Sequence, residues 1–314
     1  MLKIIVVLLH AFGLTSFCSI QAKPLVAITK IAPHPSLDAI EKGIKDGLKE
    51  AGIDASYQLD NAQGNIPTAI QIAKKYGALK PDIIIPISTP SAQTVYQVAL
   101  AEKIPVVFAA VSDPIAAKLV DAETKKGNNI TGVSDLSPIS DQISLIQTLQ
   151  PSVKKIGILY NPGESNSVAL ADLFTQQATA KGLEIKLFPC LSSVDLGTVS
   201  KKIKGKVDVV YIPNDNTIIS GLDVVLKILE DIPIYAADPD SVDRGCLASA
   251  ALSQYNIGVE AGKLAARVLR GESASAIPFI QAKLAHVTLN QKAANKLKIE
   301  LPHFLKKKSI IIGD

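Results

Sequence analysis

The sequence repeats one ordered pattern of apolar segments and glycines. Three segments of the first half return in the second half in the same order: 24–29 as 155–160, 80–86 as 206–213, and 104–110 as 232–237. Gly52 and Gly182 stand at matching places before the second apolar run of each copy. Two similar units in one chain predict two similar lobes that face each other across a cleft. That cleft is therefore the first place to look for function.

Each copy predicts a parallel α/β sheet, because strand-like and helix-like segments alternate along it. Hydrophobic residues make up 47% of the chain, with one Met and no Trp. The interior is thus built mainly from Ile, Leu, Val and Ala, which suits parallel sheets buried on both faces. The predicted strands are 25–29, 56–59, 82–87, 105–110, 129–133, 156–160, 184–188, 207–212, 232–236, 247–251, 287–289 and 309–312. The predicted helices are 36–51, 66–79, 90–101, a short turn at 116–119, 139–149, 165–181, 194–204, 217–230, 255–270 and 291–297. The fold class is α/β, with two Rossmann-like lobes.

The chain is predicted to cross between the lobes more than once. The segment after Ala250 is too long to be a cap on the second lobe, and no Gly/Ser-rich linker separates the copies. Crossings near 130–137, 250–255 and 285–291 would form a multi-strand hinge. We therefore assign 23–132 plus 253–286 to lobe 1, and 133–252 plus 287–314 to lobe 2.

Residues 1–22 have the pattern of a secretory signal peptide. Lys3 supplies the positive charge, a short apolar stretch runs to about Phe17, and Ala22 is the small residue at the predicted cleavage site. The stretch is shorter than a membrane-spanning helix needs. Lys23 would be the first mature residue, and the protein would be periplasmic or held at the outer face of the cytoplasmic membrane. An uncleaved anchor, or a lipoprotein modified at Cys18, are the alternatives.

Several functional classes lack support in the sequence. The lysines are scattered and only three arginines occur, so we predict no nucleic-acid partner. Motifs for dinucleotides, nucleoside triphosphates and hydrolase nucleophiles are absent from the sequence, and no zinc-ligand spacing occurs. We predict no cofactor, no metal and no catalytic residue. The remaining cysteines, Cys190 and Cys246, fit either a disulfide or two separate buried thiols.

The loops that follow the predicted strands supply the candidate ligand-binding residues, because ligands of parallel sheets lie beyond the carboxyl ends of the strands. These loops are polar in both copies. The candidates are His34, Ser88, Thr89, Gln93, Ala110, Ser112, Asp113, Tyr160, Glu164, Ser165, Asn166, Asp215, Asn216 and Asp238.

The candidates suggest a site for a molecule that carries one positive and one negative group. Ser88 is predicted to cap the helix that begins near Pro90, and the free amides there favour an anion such as a carboxylate. Carboxylates that could neutralise an ammonium group are Asp113, Glu164, Asp215 and Asp238. An ordinary helix cap or turn is the competing interpretation for each of these residues. Tyr160 is a candidate to cover an apolar side chain of the ligand, and core packing is the alternative for it. His34 is a candidate for the mouth of the cleft, and a plain surface position is the alternative for it.

The loops resemble those of the tryptophan/tyrosine-type substrate-binding proteins of ABC transporters. The resemblance spans nearly the whole mature chain and departs little from the family pattern, for example at Ser112, where Thr is common. The motifs that carry it are Pro33-His-Pro-Ser-Leu-Asp38, Asn61-Ala-Gln-Gly64, Thr89-Pro-Ser-Ala-Gln93, Val107-Phe-Ala-Ala-Val-Ser-Asp-Pro114, Asn129-Ile-Thr-Gly-Val-Ser-Asp135, Tyr160-Asn-Pro-Gly-Glu-Ser-Asn-Ser167 and Asp215-Asn-Thr217. The resemblance implies the type I periplasmic-binding-protein fold with three interlobe crossings. It also implies capture of an amino acid, with aromatic amino acids among the candidates, for a membrane permease and its ATPase.

Three hypotheses follow. In the first, a monomeric exported protein captures an amino acid by hinge closure, in which ligand contacts to both lobes favour the closed form. In the second, the ligand is another small solute such as a sugar or a nucleoside. The third, an enzyme that uses the cleft, lacks a visible nucleophile–base pair.

Overall fold

The structure, a computed structural model, describes residues 22–283 and 285–313. The predicted signal segment therefore lies outside the described residues except for Ala22, and so does Cys18. The strands are β1 Leu25–Lys30, β2 Ser56–Asn61, β3 Ile83–Ile87, β4 Val106–Ala109, β5 Ile130–Ser134, β6 Lys155–Tyr160, β7 Glu184–Pro189, β8 Val209–Ile212, β9 Ile234–Ala236, β10 Ala248–Leu252, β11 Ile280–Gln281, β12 Ala285–Asn290 and β13 Ile310–Ile312. The helices are α1 Pro35–Glu50, α2 Ile66–Leu79, α3 Thr89–Glu102, α4 Ile139–Leu149, α5 Ser165–Ala180, α6 Leu196–Ile203, α7 Asn216–Ser220, α8 Leu222–Ile228, α9 Asp240–Arg244, α10 Gln254–Leu269, α11 Gln291–Leu297 and α12 His303–Lys306.

Two sheets form two lobes, as the repeat predicts. The first sheet has the order β11-β5-β4-β3-β1-β2, and the second has the order β13-β12-β10-β9-β8-β6-β7. Every strand pair of the first sheet is parallel. The α/β fold class with two parallel-sheet lobes is confirmed.

Both faces of the central strands are covered, which explains why these segments are continuously apolar. All five residues of β3 are buried. In the second lobe Ile158 of β6 packs into one apolar cluster and the adjacent Leu159 into another. Successive side chains of a strand point to opposite faces, so these two clusters lie on opposite sides of the second sheet.

The second sheet contains one antiparallel pair that the sequence reading missed. Strand β12 runs antiparallel to β10 and parallel to β13. The chain leaves the second lobe where β10 ends and returns to it where β12 begins. Both strands therefore have an end at the hinge, and β12 must run in the opposite direction.

The lobe boundaries differ by two residues from the assigned ones at two crossings. Residues 133–134 pair with β11 in the first sheet, and residues 285–286 pair with β10 in the second. The chain passes between the sheets at 135–138, at Ser253 and between β11 and β12. The lobes are thus linked by three short segments, one between β11 and β12 and two that directly follow strands β5 and β10.

Smaller differences concern the helices. The segment predicted as one helix at 217–230 is divided into α7 and α8 at Gly221, where a Cβ atom would overlap the side chain of Leu196. Residues 116–119 form turns rather than a helix. The short elements α9, α12 and β11 were not predicted, because each is too short to show a period.

Helix α10 returns to the first lobe and packs closely on α1. Gly43 and Gly47 of α1 face Gly258 and Gly262 of α10, and a Cβ atom at any of them would overlap backbone atoms of the other helix. This close contact anchors the helix that directly follows the crossing at Ser253. Within the described ranges, no helix has both the length and the apolarity needed to cross a membrane.

Candidate ligand-binding cleft

A narrow cavity lies between the lobes, at the carboxyl ends of both sheets. About 30 Å³ of it is open to the centre of a water molecule. The predicted residues that line it are His34, Ser88, Thr89, Ala110, Ser112, Asn166, Asp215, Asn216 and Asp238. The lining residues that were not predicted are Ser36, Leu37, Asp135, Asn214, Ile219 and Gln254.

On the first lobe, the cavity is bounded by two strand ends with unusual backbone. Ser88 follows β3 with φ +80° and ψ 159°, and Ala110 follows β4 with φ +54°. The amide of Ser88 donates to the carbonyl of Ala109 at 2.9 Å, which fixes the two turns against each other. Such conformations cost a non-glycine residue about 1–3 kcal/mol, and they cluster at functional sites.

Ser88 does not cap helix α3 with its side chain, contrary to the sequence reading. The residue occupies the cap position with φ +80°, outside the extended conformation usual for a cap, and its hydroxyl makes no capping hydrogen bond. The hydroxyls of Ser88 and Thr89 are buried without a hydrogen-bond partner. The N–H groups of the first turn of α3 have no intrahelical acceptor either. This end of the cavity therefore presents donors and a positive dipole.

On the second lobe, Glu164 and Asp215 are engaged within their own lobe. The carboxylate of Glu164 accepts four hydrogen bonds, from the amides and side chains of Asn216 and Thr217, and does not line the cavity. Asp215 caps α7 through Ile218 and also accepts from the Asn161 amide and the Ser167 hydroxyl. Burial, followed by the charge of Glu164, raises the pKa of Asp215 to about 8.

Asp238 joins the two lobes. It accepts a hydrogen bond from the Ser36 hydroxyl of the first lobe at 2.9 Å, and from the amide and hydroxyl of Ser241 in its own lobe. His34 lies beside this contact and is only 5% exposed, so the alternative of a plain surface position does not describe it. Burial lowers the pKa of His34, opposed by the Asp238 charge, and neither ring nitrogen has a hydrogen-bond partner.

Asp135 is a cavity residue that the sequence reading assigned to a crossing and not to the site. It follows β5, and its carboxylate accepts from Ser112 Oγ at 3.0 Å and from Asn214 Nδ2 at 2.9 Å. Complete burial raises its pKa to about 6. The signal was present, because Asp135 is a polar residue just past a predicted strand, the rule that found the other candidates.

The other predicted residues lie outside the cavity lining. The hydroxyl of Ser165 donates to Gln93 Oε1 at 3.4 Å, a contact between α5 and α3 across the lobes. Asp113 accepts from the amides of Ile115 and Ala116, which makes it a turn former. Tyr160 packs against the apolar cluster of the second lobe. Asp113 is thus a turn former and Tyr160 packs in the core, which is the competing interpretation for each of them.

The cavity gathers polar atoms that have no partner. Among the described residues, they include the His34 ring nitrogens, the Ser88 and Thr89 hydroxyls, and the side-chain oxygens of Asn166 and Asn214. The lining also holds three carboxyl groups and no Lys or Arg. A buried polar atom without a partner is costly, so the arrangement favours a small polar molecule with a positive group. Within the described ranges, no cluster of His, Cys, Asp or Glu has the geometry of a metal site, and Cys190 and Cys246 are both buried free thiols.

Comparison with known proteins identifies relatives that are substrate-binding proteins. The family model for ABC transporter substrate-binding proteins matches residues 25–310. The chain is 34% identical over 281 residues to a tyrosine-binding protein of Clostridioides difficile (strain R20291), covering 88% of this chain and 81% of that protein.

Two solved structures are informative as a pair. A Streptococcus pneumoniae ABC domain in complex with L-Trp is 34% identical, covers 91% of this chain and 100% of its own, and superposes with a TM-score of 0.87. The ligand-free, open structure of a Clostridium difficile substrate-binding protein with adhesive properties is 31% identical, covers 92% and 99%, and reaches a TM-score of only 0.69. The two relatives are about equally similar to this chain in sequence. The arrangement of its lobes is therefore closer to that of the L-Trp complex than to that of the open, ligand-free protein.

Proposed function

This chain belongs to the family of ABC transporter substrate-binding proteins, and from that premise we propose that its ligand is an aromatic α-amino acid bound as a zwitterion. One observation carries the proposal. The donors at the start of α3, including the unpartnered hydroxyls of Ser88 and Thr89, line a cavity between two lobes together with the acidic side chains of Asp135, Asp215 and Asp238. A carboxylate suits the first end and an ammonium group suits the second.

The relatives support the aromatic side chain. One is a tyrosine-binding protein and another is solved with L-Trp. In this chain the apolar members of the lining, Leu37, Ala110 and Ile219, offer contact surface for such a side chain. A sugar presents many hydroxyls and no net charge, so it would leave the acidic side chains without a positive partner.

Hinge closure is the mechanism we propose for capture. The cavity lies between the lobes, and about 30 Å³ of it is open to the centre of a water molecule in this arrangement, so the lobes would separate to admit the ligand and close around it. The poorer superposition on the open relative supports such a motion. Ligand contacts to both lobes then favour the closed form, and exclusion of water strengthens the hydrogen bonds inside.

The transport context is part of the proposal. The protein would be exported, would act as a monomer, and would deliver its ligand to a membrane permease and its ATPase without chemical turnover. Export predicts that protein recovered from the periplasmic fraction begins at Lys23. A lipid-modified Cys18 at the N-terminus would instead indicate a lipoprotein.

A melting-shift screen tests the function. The purified protein is heated with each of the twenty amino acids, with common sugars and with nucleosides. At a ligand concentration of about 100 times Kd, a true ligand adds about 2.7 kcal/mol to the free energy of unfolding and raises Tm by about 5 °C or more. Stabilisation by L-Trp or L-Tyr, with the ligand recovered unchanged, supports the proposal. Stabilisation by sugars or nucleosides alone, or product formation, contradicts it.

A further inference from the structure

Asp135 differs from the other acidic side chains at the cleft in its position. It lies in the 135–138 crossing, between β5 of the first lobe and α4 of the second. Its Oδ1 accepts from Ser112, which follows β4 in the first lobe, and its Oδ2 accepts from Asn214, which follows β8 in the second. One carboxylate in the hinge thus contacts both lobes and lines the cavity.

Asp135 also has unused capacity to accept hydrogen bonds. A carboxylate has about four acceptor positions, and each oxygen of Asp135 receives one hydrogen bond from a neutral donor. It is buried, no Lys or Arg of the described residues lies beside it, and its pKa, raised by burial to about 6, leaves it mostly ionised at neutral pH. A buried anion without a cationic partner is unfavourable, so this carboxylate is suited to a positively charged ligand group.

The other carboxyl groups are less suited. Asp215 accepts three hydrogen bonds within its lobe, and burial together with the nearby charge of Glu164 raises its pKa to about 8. Glu164 accepts four and does not line the cavity. Asp238 accepts three and already connects the lobes through Ser36.

We propose that Asp135 binds the ammonium group of the ligand and makes closure depend on that group. The inference rests on the proposed function and identifies the residue that selects its ligand class. In the empty protein, the negative charge of Asp135 is buried by closure at a cost. A bound ammonium group removes that cost, because the ion pair forms only when Ser112 and Asn214 are also brought together around the carboxylate. Blocking the amine of a ligand therefore prevents its binding, whereas blocking the carboxylate weakens binding less.

Isothermal titration calorimetry on the purified protein tests this. The ligands are L-tryptophan and L-tyrosine, their N-acetyl derivatives, their methyl esters, and the amines tryptamine and tyramine. The variants are Asp135→Asn, Asp238→Asn and the matched control Asp172→Asn, an exposed carboxylate on α5 outside the cavity. Melting curves without ligand show whether each variant folds, and the comparison of blocked and free ligands on the unmodified protein does not depend on any variant.

The expected pattern has three parts. N-acetylation weakens binding to the unmodified protein by about 100-fold, and esterification by about 10-fold. Asp135→Asn weakens binding of the free amino acid by about 100-fold, and N-acetylation then weakens binding little further. Asp172→Asn behaves like the unmodified protein.

The other outcomes separate the two proposals. If amino acids bind but Asp238→Asn, rather than Asp135→Asn, removes the effect of N-acetylation, the inference is overturned and the proposed function stands. If only tryptamine or tyramine binds, and does so through Asp135, the amino-acid function fails and the inference stands. If neither the amino acids nor the amines bind, both fail.

Discussion

Ser88 combines a strained backbone with a buried hydroxyl that has no hydrogen-bond partner at the cavity. Its φ of +80° and ψ of 159° lie in a region that glycine occupies without cost. Strain at a site that also leaves a buried hydroxyl unpartnered is expected when the hydroxyl serves a ligand. Stability and binding should therefore respond in opposite directions when this residue is changed.

We expect Ser88→Gly to raise the free energy of unfolding by about 1 kcal/mol, because it relieves the strain. The same change should weaken amino-acid binding about 5- to 10-fold through loss of one hydrogen bond. Melting and calorimetric titration measure the two effects. Lys103→Gly is the matched control, because Lys103 ends the same helix with φ +58° and lies outside the cavity. That variant should gain stability and keep its affinity; weaker binding by both variants would point to a general effect of α3.

A second prediction at this scale concerns pH. Asp135 attracts an ammonium group only when ionised, and its pKa is raised to about 6 by burial. Amino-acid affinity should thus be constant above about pH 7 and fall up to about tenfold for each pH unit below 6. The groups that contact the carboxylate, Ser112 and Asn214, do not titrate. The titratable groups elsewhere in the lining are His34, Asp215 and Asp238. Titrations at pH 5, 6, 7 and 8 measure the effect, and Asp135→Asn should flatten the profile. A profile with the same slope in that variant would assign the pH dependence to another of these groups.

Individual site residues were partly predictable. The rule that polar residues after parallel strands face a ligand placed His34, Ser88 and Asp238 at the cavity. It could not distinguish a carboxylate engaged in its own lobe from one that is free. In sequence, Glu164, Asp215 and Asp135 are all acidic residues that follow a strand. Only the structure distinguishes the first two, because Glu164 accepts from Thr217 and Asp215 accepts from Asn161 and Ser167.

At the scale of elements, the contact between α1 and α10 anchors the hinge. The helices approach so closely that their backbones meet at glycines. A glycine-to-alanine change in an exposed helix normally stabilises it by about 1 kcal/mol. Here that gain is opposed by overlap with the backbone of the partner helix.

We expect Gly47→Ala to lower the free energy of unfolding by about 3 kcal/mol, because its Cβ atom would overlap the carbonyl of Val259. The matched control is Gly197→Ala in α6, where the added atom meets Val224 and Ile228 at 3.8 Å, an ordinary contact distance. That variant should be stabilised by up to about 1 kcal/mol. Chemical denaturation measures both. Equal stability of the two variants would show that α1 and α10 can separate without cost.

Most elements could be predicted because their apolar periods are clear, as in β3 and α1. The direction of β12 could not, since an alternating strand reads the same in both directions. It is set by where the chain re-enters the second lobe, which is a property of the hinge and not of the segment.

For the whole molecule, the internal repeat determines the shape. Two copies of one α/β unit give two sheets whose carboxyl ends meet, and three crossings hold them at one edge. The sequence indicates the cleft but not how far it is closed. Closure depends on contacts between residues distant in the chain, such as Ser36 with Asp238.

The Ser36–Asp238 hydrogen bond should therefore bias the unliganded protein toward closure. Both residues are buried where the lobes meet. Because one such bond contributes about 1 kcal/mol, Ser36→Ala should shift the open-to-closed ratio about fivefold toward the open form. Small-angle X-ray scattering should show a larger radius of gyration for this variant without ligand, and L-tryptophan or L-tyrosine should restore the compact form. Ser144→Ala is the control, because its hydroxyl donates within α4 and accepts from Lys181 of the same lobe, so it makes no contact between the lobes. If the radius of gyration is the same for the variant and the unmodified protein, with and without ligand, then this contact does not govern closure.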